Sequence, residues 1–173
     1  MQTDVKLLKE IILFGLLAGV VLLVAGFINS DDSSSMQPIA YNHFKHVEEN
    51  GMECLDCHQF AEENARASIP NTESCADCHE EAITESEAEA NLLSFINDKR
   101  RIEWRQIYLV PDYAYFSHRR HVKLGKLECI VCHGDVGKMT EPITQQFVEP
   151  TMEWCMDCHE MNNVSNDCYA CHR

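Results

Sequence analysis

Residues 115–134 read YFSHRRHVKLGKLECIVCHG and close on Cys129-Ile130-Val131-Cys132-His133, a C-x-x-C-H. That spacing is the attachment motif for a c-type haem. Two thiols three positions apart add to the two vinyl groups of one porphyrin, and the adjacent histidine falls under the iron as its proximal ligand. Upstream stand His118 and His121, three residues apart. On a helix they share a face. An iron with a proximal histidine has one axial site left, so the two are expected to serve two different haems and hold them side by side.

The stretch occurs twice. At a shift of 75 residues His43 matches His118, His46 matches His121 and Val47 matches Val122. Glu53, Cys54, Cys57 and His58 match Glu128, Cys129, Cys132 and His133 in the same register. Asn42 and Ser117 correspond as helix N-caps, and Gly51 and Gly125 fall near the expected helix ends. A second block follows each copy: residues 70–80, PNTESCADCHE, and residues 150–160, PTMEWCMDCHE, coincide at a shift of 80. The pattern is an internal duplication of a two-haem unit. A fifth motif, Cys168-Tyr169-Ala170-Cys171-His172, lies at the end of the sequence.

All ten cysteines fall in the five motifs: Cys54 and Cys57, Cys75 and Cys78, Cys129 and Cys132, Cys155 and Cys158, Cys168 and Cys171. A disulfide framework needs no histidine after every second cysteine. Structural zinc pairs one C-x-x-C with another and has no fixed adjacent histidine. Five covalently bound haem c groups are therefore expected. Five of the nine histidines, His58, His79, His133, His159 and His172, are the proximal set, and His43, His46, His118 and His121 are the distal candidates. Four distal histidines cannot cap five irons. A methionine thioether is the expected remaining ligand, and Met139 and Met152 are favoured because they sit in connecting segments of the second unit. Met156 lies between two haem cysteines, an awkward place.

Ile11 to Ile28 is an unbroken uncharged run of 18 residues, about 27 Å of helix against a bilayer core of about 30 Å. Lys6 and Lys9 precede it and Asp31 and Asp32 follow it, which puts the N-terminus in the cytoplasm and the rest outside. The run is longer than a signal-peptide core, and no A-x-A-like site follows at 29–35. An uncleaved single-pass anchor in the cytoplasmic membrane is expected, with a periplasmic haem domain.

The expected fold is mostly α and irregular, haem-cored, with one N-terminal transmembrane helix. Residues beyond the first 30 supply only about 29 residues per haem, too few for a large aliphatic core, so the porphyrins must serve as the core. The organisation reads as cytoplasmic N-terminus and anchor over 1–30, a tether over 31–40 and the first two-haem unit over 41–79. A linker helix and extended segment follow over 80–114, then the second unit over 115–160 and a tail with the fifth haem over 161–173. Glu80 to Arg100 carries no proline or glycine and puts Leu92, Phe95 and Ile96 on one helix face. Ile102 to Tyr115 is aromatic and broken by Pro111, an extended segment whose rings are expected to pack on haem.

Residues 31–100 hold 16 acidic and 4 basic side chains, and residues 101–173 hold 10 and 8. The acidic surface excludes a nucleic-acid partner. It serves solubility, or steers a basic redox partner.

The pairing of H-x-x-H with C-x-x-C-H resembles the multihaem cytochrome c3/c7 family. The anchor, five motifs, the run from Leu109 to Gly134 and TMEWCMDCHE resemble the pentahaem cytochrome subunit of bacterial alternative complex III. That resemblance implies an electron-transfer subunit, without catalysis of its own, beside iron–sulfur and quinol-oxidising membrane subunits. It implies a smaller cytochrome c or a terminal oxidase as acceptor. A membrane-anchored quinol dehydrogenase donating to a periplasmic reductase is the alternative. That family carries C-x-x-C-H-x-M at its first haem, whereas here Gln59 and Phe60 follow His58, and the one such motif is the fourth, at Met161. A nitrite reductase would want a C-x-x-C-K haem, and a cytochrome polymer is disfavoured by the anchor.

Overall fold

Each C-x-x-C-H motif is long enough for one helical turn, in which the two cysteines share a face. The computed structural model describes residues 37–172, together with Gly15 and Gly19. The expected transmembrane helix lies outside the described residues. Among those that are described, no helix is long and apolar enough to cross a membrane.

The motifs seed short helices: α1 is Cys54–Cys57, α2 Thr72–Ala76, α4 Ile130–His133, α5 Met152–Met161 and α6 Cys168–Cys171. The two H-x-x-H segments open with a single α turn and then widen into π-helical turns, Lys45–Glu49 and Arg120–Leu124, called here the first and second histidine helices. Such widened turns are rare and recur at functional sites. Side-chain caps start several of these elements. Asn71 caps α2, Thr151 caps α5 through Trp154 N, and Asp167 caps α6 through Tyr169 N. In the first histidine helix, Asn42 Oδ1 accepts from Lys45 N at 3.0 Å, as its sequence position suggests.

The duplication is visible in the backbone, with one shift from the expected register. Gly51 takes φ +70, and its equivalent at a shift of 75 is Lys126, which takes φ +56, rather than Gly125. Gly125 is needed for another reason: a Cβ there would meet the His121 carbonyl at 2.7 Å. Gly134 combines φ +67 with the Phe147 ring 2.6 Å from where a Cβ would stand.

The linker helix is shorter than its composition suggests. It is α3, Glu87–Asn97, because Ser86 accepts from Glu89 N and fixes the start there, while residues 80–86 form turns. The expected face of α3 does pack. Leu92 joins Ile39 and Ile102 in a small cluster flanked by Phe95, Ile96, Trp104 and Cys75. The segment after α3 is extended, but side chains rather than a sheet lash it down. Gln37 bonds both backbone groups of Arg105, Trp104 Nε1 donates to Pro70 O, and Gln146 reaches Ile107 O. Among the described residues there is no strand beyond one antiparallel bridge, Ala114 to His172.

The buried apolar residues described are Ile39, Ala61, Leu92 and Ile102, while Phe60, Ile83, Leu109, Tyr113 and Phe147 stand exposed. Burial of an aliphatic side chain stabilises by about 1.5–3 kcal/mol, so four such residues cannot hold this chain together. The uncovered apolar surface suits flat apolar cofactors.

Asn71 ties the extended segment to the second motif. Its Oδ1 accepts from Thr72 N and from Ile102 N, both at 2.9 Å, and its Nδ2 donates to Ile102 O at 3.1 Å. Asn71→Ala removes the cap and both cross-links, and is expected to cost about 1–3 kcal/mol. A lowered thermal midpoint of the haem-loaded protein checks this.

Candidate functional site

A hydrogen bond at one ring nitrogen fixes the tautomer and direction of a histidine whose other nitrogen faces a metal. Seven of the nine histidines have Nδ1 against an oxygen that can only accept. His46 meets Asn42 O at 2.9 Å, His121 meets Ser117 O at 2.8 Å and His118 meets Ala65 O at 3.0 Å. His58 meets Ser68 O at 2.8 Å, His159 meets Ser165 O at 3.2 Å and His172 meets Tyr113 O at 3.0 Å. His79 meets Glu89 Oε1 at 2.8 Å. Carbonyls and carboxylates do not donate, so Nδ1 carries the proton and Nε2 keeps its lone pair. That is the tautomer and the outer partner of a metal-bound imidazole.

The rings also face one another. His118 and His133 have centroids 6.3 Å apart with planes 8° from parallel. His121 and His159 are 6.1 Å apart at 26°, and His46 and His79 are 6.2 Å apart at 52°. A metal–imidazole bond is about 2.0–2.1 Å, and the bonding nitrogen is roughly 1.1 Å from the ring centre, so two imidazoles trans across one metal have centroids about 6.3 Å apart. The residues fit an iron between each pair. His43 and His58 are electrostatic neighbours: burial first, and then the charges of His58 and His46, push His43 down to about 4. Burial likewise lowers His118 and His133, which keeps these rings neutral as iron ligation demands. The His43 Nδ1 is buried without a hydrogen-bond partner.

None of the ten cysteines is in a disulfide, and seven of them are at least partly covered. Their neighbours trace the order of the motifs in space. Burial first raises Cys57, with Cys78 of the second motif adding to it. Cys129 is raised by burial and by Cys54, whose thiol it contacts. Cys132 is raised by burial and by Cys158 and Cys155, and Cys155 by burial and Cys171. The attachment motifs thus run second, first, third, fourth, fifth.

Residues 39–92 and 114–173 match the family of cytochrome c7 and related cytochrome c. The chain belongs to that family. It is a multihaem cytochrome c, and such proteins hold haem c covalently through motifs of this kind. It is also 30% identical, over 165 residues, to the menaquinone reductase multihaem cytochrome c subunit of Nitratidesulfovibrio vulgaris, an alignment covering 82% of this chain and 79% of that one. Residues 93–113, the end of α3 and most of the extended segment, fall between the two matched stretches.

Several residues that shape this cytochrome carry no motif signal. Tyr41 and Phe116 are equivalent at a shift of 75. Tyr41 stands edge-on to His43 at 4.7 Å and stacked on His46 at 4.5 Å; Phe116 does the same to His118 at 4.9 Å and His121 at 4.6 Å. Tyr108 packs its ring against His133 at 4.5 Å and donates its hydroxyl to Cys132 O. Ser68 takes φ +67 in the turn that points its carbonyl at His58. Glu89 is buried, and hydrogen bonds hold its carboxyl down to about 2, led by the Thr84 hydroxyl and the Ile83 amide. The repeat could have paired Tyr41 with Phe116. Nothing in the sequence links Glu89 to His79. Of the favoured methionines, Met139 lines a cavity of about 490 Å³ beside His133, and Met152 opens α5 on the surface.

Since Phe116 does in one unit what Tyr41 does in the other, Tyr41→Phe should leave the haem spectra unchanged. Tyr41→Ala frees the His46 ring and should shift the low-spin electron paramagnetic resonance signal of one haem only. An unchanged spectrum for Tyr41→Ala would show that the stack does not orient His46.

Proposed function

We propose that the chain is a membrane-anchored pentahaem c-type cytochrome that relays electrons from a quinol-oxidising membrane complex to a periplasmic cytochrome c or terminal oxidase. The observation that carries it is the repeated facing of imidazoles at 6.1–6.3 Å beside C-x-x-C motifs that follow one another through the molecule. Haem c bound at such positions supplies reversible one-electron chemistry at its iron. The cysteines of each motif hold the ring, and His58, His79, His133, His159 and His172 are the proximal ligands. His46 is assigned opposite His79, His118 opposite His133, His121 opposite His159 and, by the repeat, His43 opposite His58. Two imidazoles on one iron leave no position for a substrate, so these four sites are suited to relay and not to bond-making chemistry.

His172 has no distal histidine left to it. We assign its opposite position to a methionine thioether, Met139 or Met152, a ligand that raises the potential relative to a second imidazole. That suits an exit point. The apolar run Ile11 to Ile28 is assigned as an uncleaved anchor of the cytoplasmic membrane, with the N-terminus inside and the haem domain outside.

The relative from a menaquinone reductase supports a partner complex that converts quinone. The resemblance to alternative complex III supports iron–sulfur and quinol-oxidising subunits as the donors. The relative's name also favours a second reading, in which the same sites feed electrons toward menaquinone. Stopped-flow mixing of the oxidised complex with a quinol, and of the reduced complex with a quinone, distinguishes them: fast haem reduction in the first supports the relay outward from quinol, and fast haem oxidation in the second the reverse.

Intact mass spectrometry should give the polypeptide plus five haems, in a carbonate-resistant membrane fraction. His118→Ala and His121→Ala should each convert one low-spin haem to high spin, and a different one, as should His43→Ala and His46→Ala. Both members of a pair acting on one haem would contradict the assignment. Met139→Leu or Met152→Leu should lower the highest midpoint potential or open one iron to carbon monoxide. If neither does, the ligand comes from a partner subunit.

A further inference from the structure

The two repeat units differ at one outer partner. His79 and His159 are equivalents at a shift of 80, yet His159 donates to the neutral Ser165 carbonyl at 3.2 Å, while His79 donates to the Glu89 carboxylate at 2.8 Å. The other five histidines held through Nδ1 also meet backbone carbonyls. The contact is built. Ser86 caps α3 and puts Glu89 in its first turn. Glu89 then folds back over the preceding loop, accepting from Ile83 N at 2.9 Å, Thr84 N at 2.6 Å and Thr84 Oγ1 at 2.5 Å as well as from His79. Its relative exposure is 7%, against exposed Glu85 and Glu87 on either side.

We propose that Glu89 is a positioning residue that makes the centre ligated by His79 the lowest-potential haem of the array. The inference rests on the assignment of His79 as an iron ligand. A carboxylate draws the Nδ1 proton toward itself and raises the basicity of Nε2. A more basic imidazole stabilises ferric iron over ferrous. The fixed negative charge acts in the same sense, because the oxidised centre is more positive by one unit and the Glu89 side chain is buried. Both effects make the electron harder to add there. The second motif neighbours the first, through Cys57 beside Cys75 and Cys78 and His46 beside His79, and stands at one end of the order the cysteines trace, so the low potential lies at an end of the array.

The test uses the full haem-loaded protein, titrated stepwise with dithionite and mediators while each haem is followed by paramagnetic nuclear magnetic resonance. His79→Ala identifies the resonances of its own haem, and if it changes no haem's ligation the site assignment itself fails. In the unaltered protein the His79 haem should be the last reduced; earlier reduction overturns the proposal. Glu89→Gln keeps shape and an acceptor oxygen but removes the charge. It should raise that one midpoint and leave the others in place, while Glu87→Gln on the exposed face of α3 moves none. Full haem content with no midpoint moved, or all five moved together, overturns the role of Glu89. Should Glu89→Gln fail to incorporate haem, the reduction order of the unaltered protein decides alone.

Discussion

An imidazole ring is aimed at a metal by what holds its other nitrogen, and seven of the nine histidines here are held in that way. The acceptors are carbonyls from turns and caps: Asn42 and Ser117 at the heads of the histidine helices, Ser68 and Ser165 in loops after C-x-x-C-H motifs, and Tyr113 in the extended segment. Each such bond is worth only about 0.5–1.5 kcal/mol net. Its larger effect is to select one tautomer and one ring direction. The irregular loops of this chain are therefore defined by where their carbonyls must point.

The two units are joined by exchange. Asn64 and Ala65, which follow the first motif, accept from the amides of Arg119 and His118 at the start of the second histidine helix. Met139, the equivalent of Asn64 at a shift of 75, accepts from Phe44 N at the start of the first. The charges swap over the same register. Glu63 pairs with Lys123, while Lys138, the equivalent of Glu63, is bound to Asp135 and within electrostatic reach of Glu48, the equivalent of Lys123. Exposed pairs of this kind contribute about 0–1 kcal/mol, so their role is register rather than strength. The exchange sets Cys54 against Cys129 and brings the first and third motifs together at the junction.

The haem motifs, the duplication and the histidine pairs were legible in the sequence because covalent and coordinate chemistry fixes residue type and spacing together. The face of α3 was legible too, since Leu92, Phe95 and Ile96 obey helical periodicity. The start of α3 was not: Ser86 caps it, but an absence of proline and glycine upstream made residues 80–86 read as helix. The π-helical turns of the histidine segments have no pattern of their own, and backbone acceptors such as Ser68 and Ala65 are invisible because a carbonyl belongs to every residue. Glu89 stands among many acidic residues of the first unit, most of them exposed, and only the folded loop at 83–84 singles it out.

Duplication explains the middle of the molecule, and departure from it explains the ends. The second histidine helix repeats the first in ring stack and in the carbonyl behind its second histidine. At one end the repeat is broken by substitution, where the carboxylate of Glu89 replaces a backbone acceptor behind His79. At the other it is broken by addition, where α6 carries a fifth motif docked on the extended segment through Tyr115 N to Cys171 O and the bridge at Ala114. Two equal halves joined head to head would give an array with no preferred sense. A negative charge behind one imidazole, and an added motif at the other end, make the two ends chemically different. That difference breaks the two-fold sameness that the duplication alone would give.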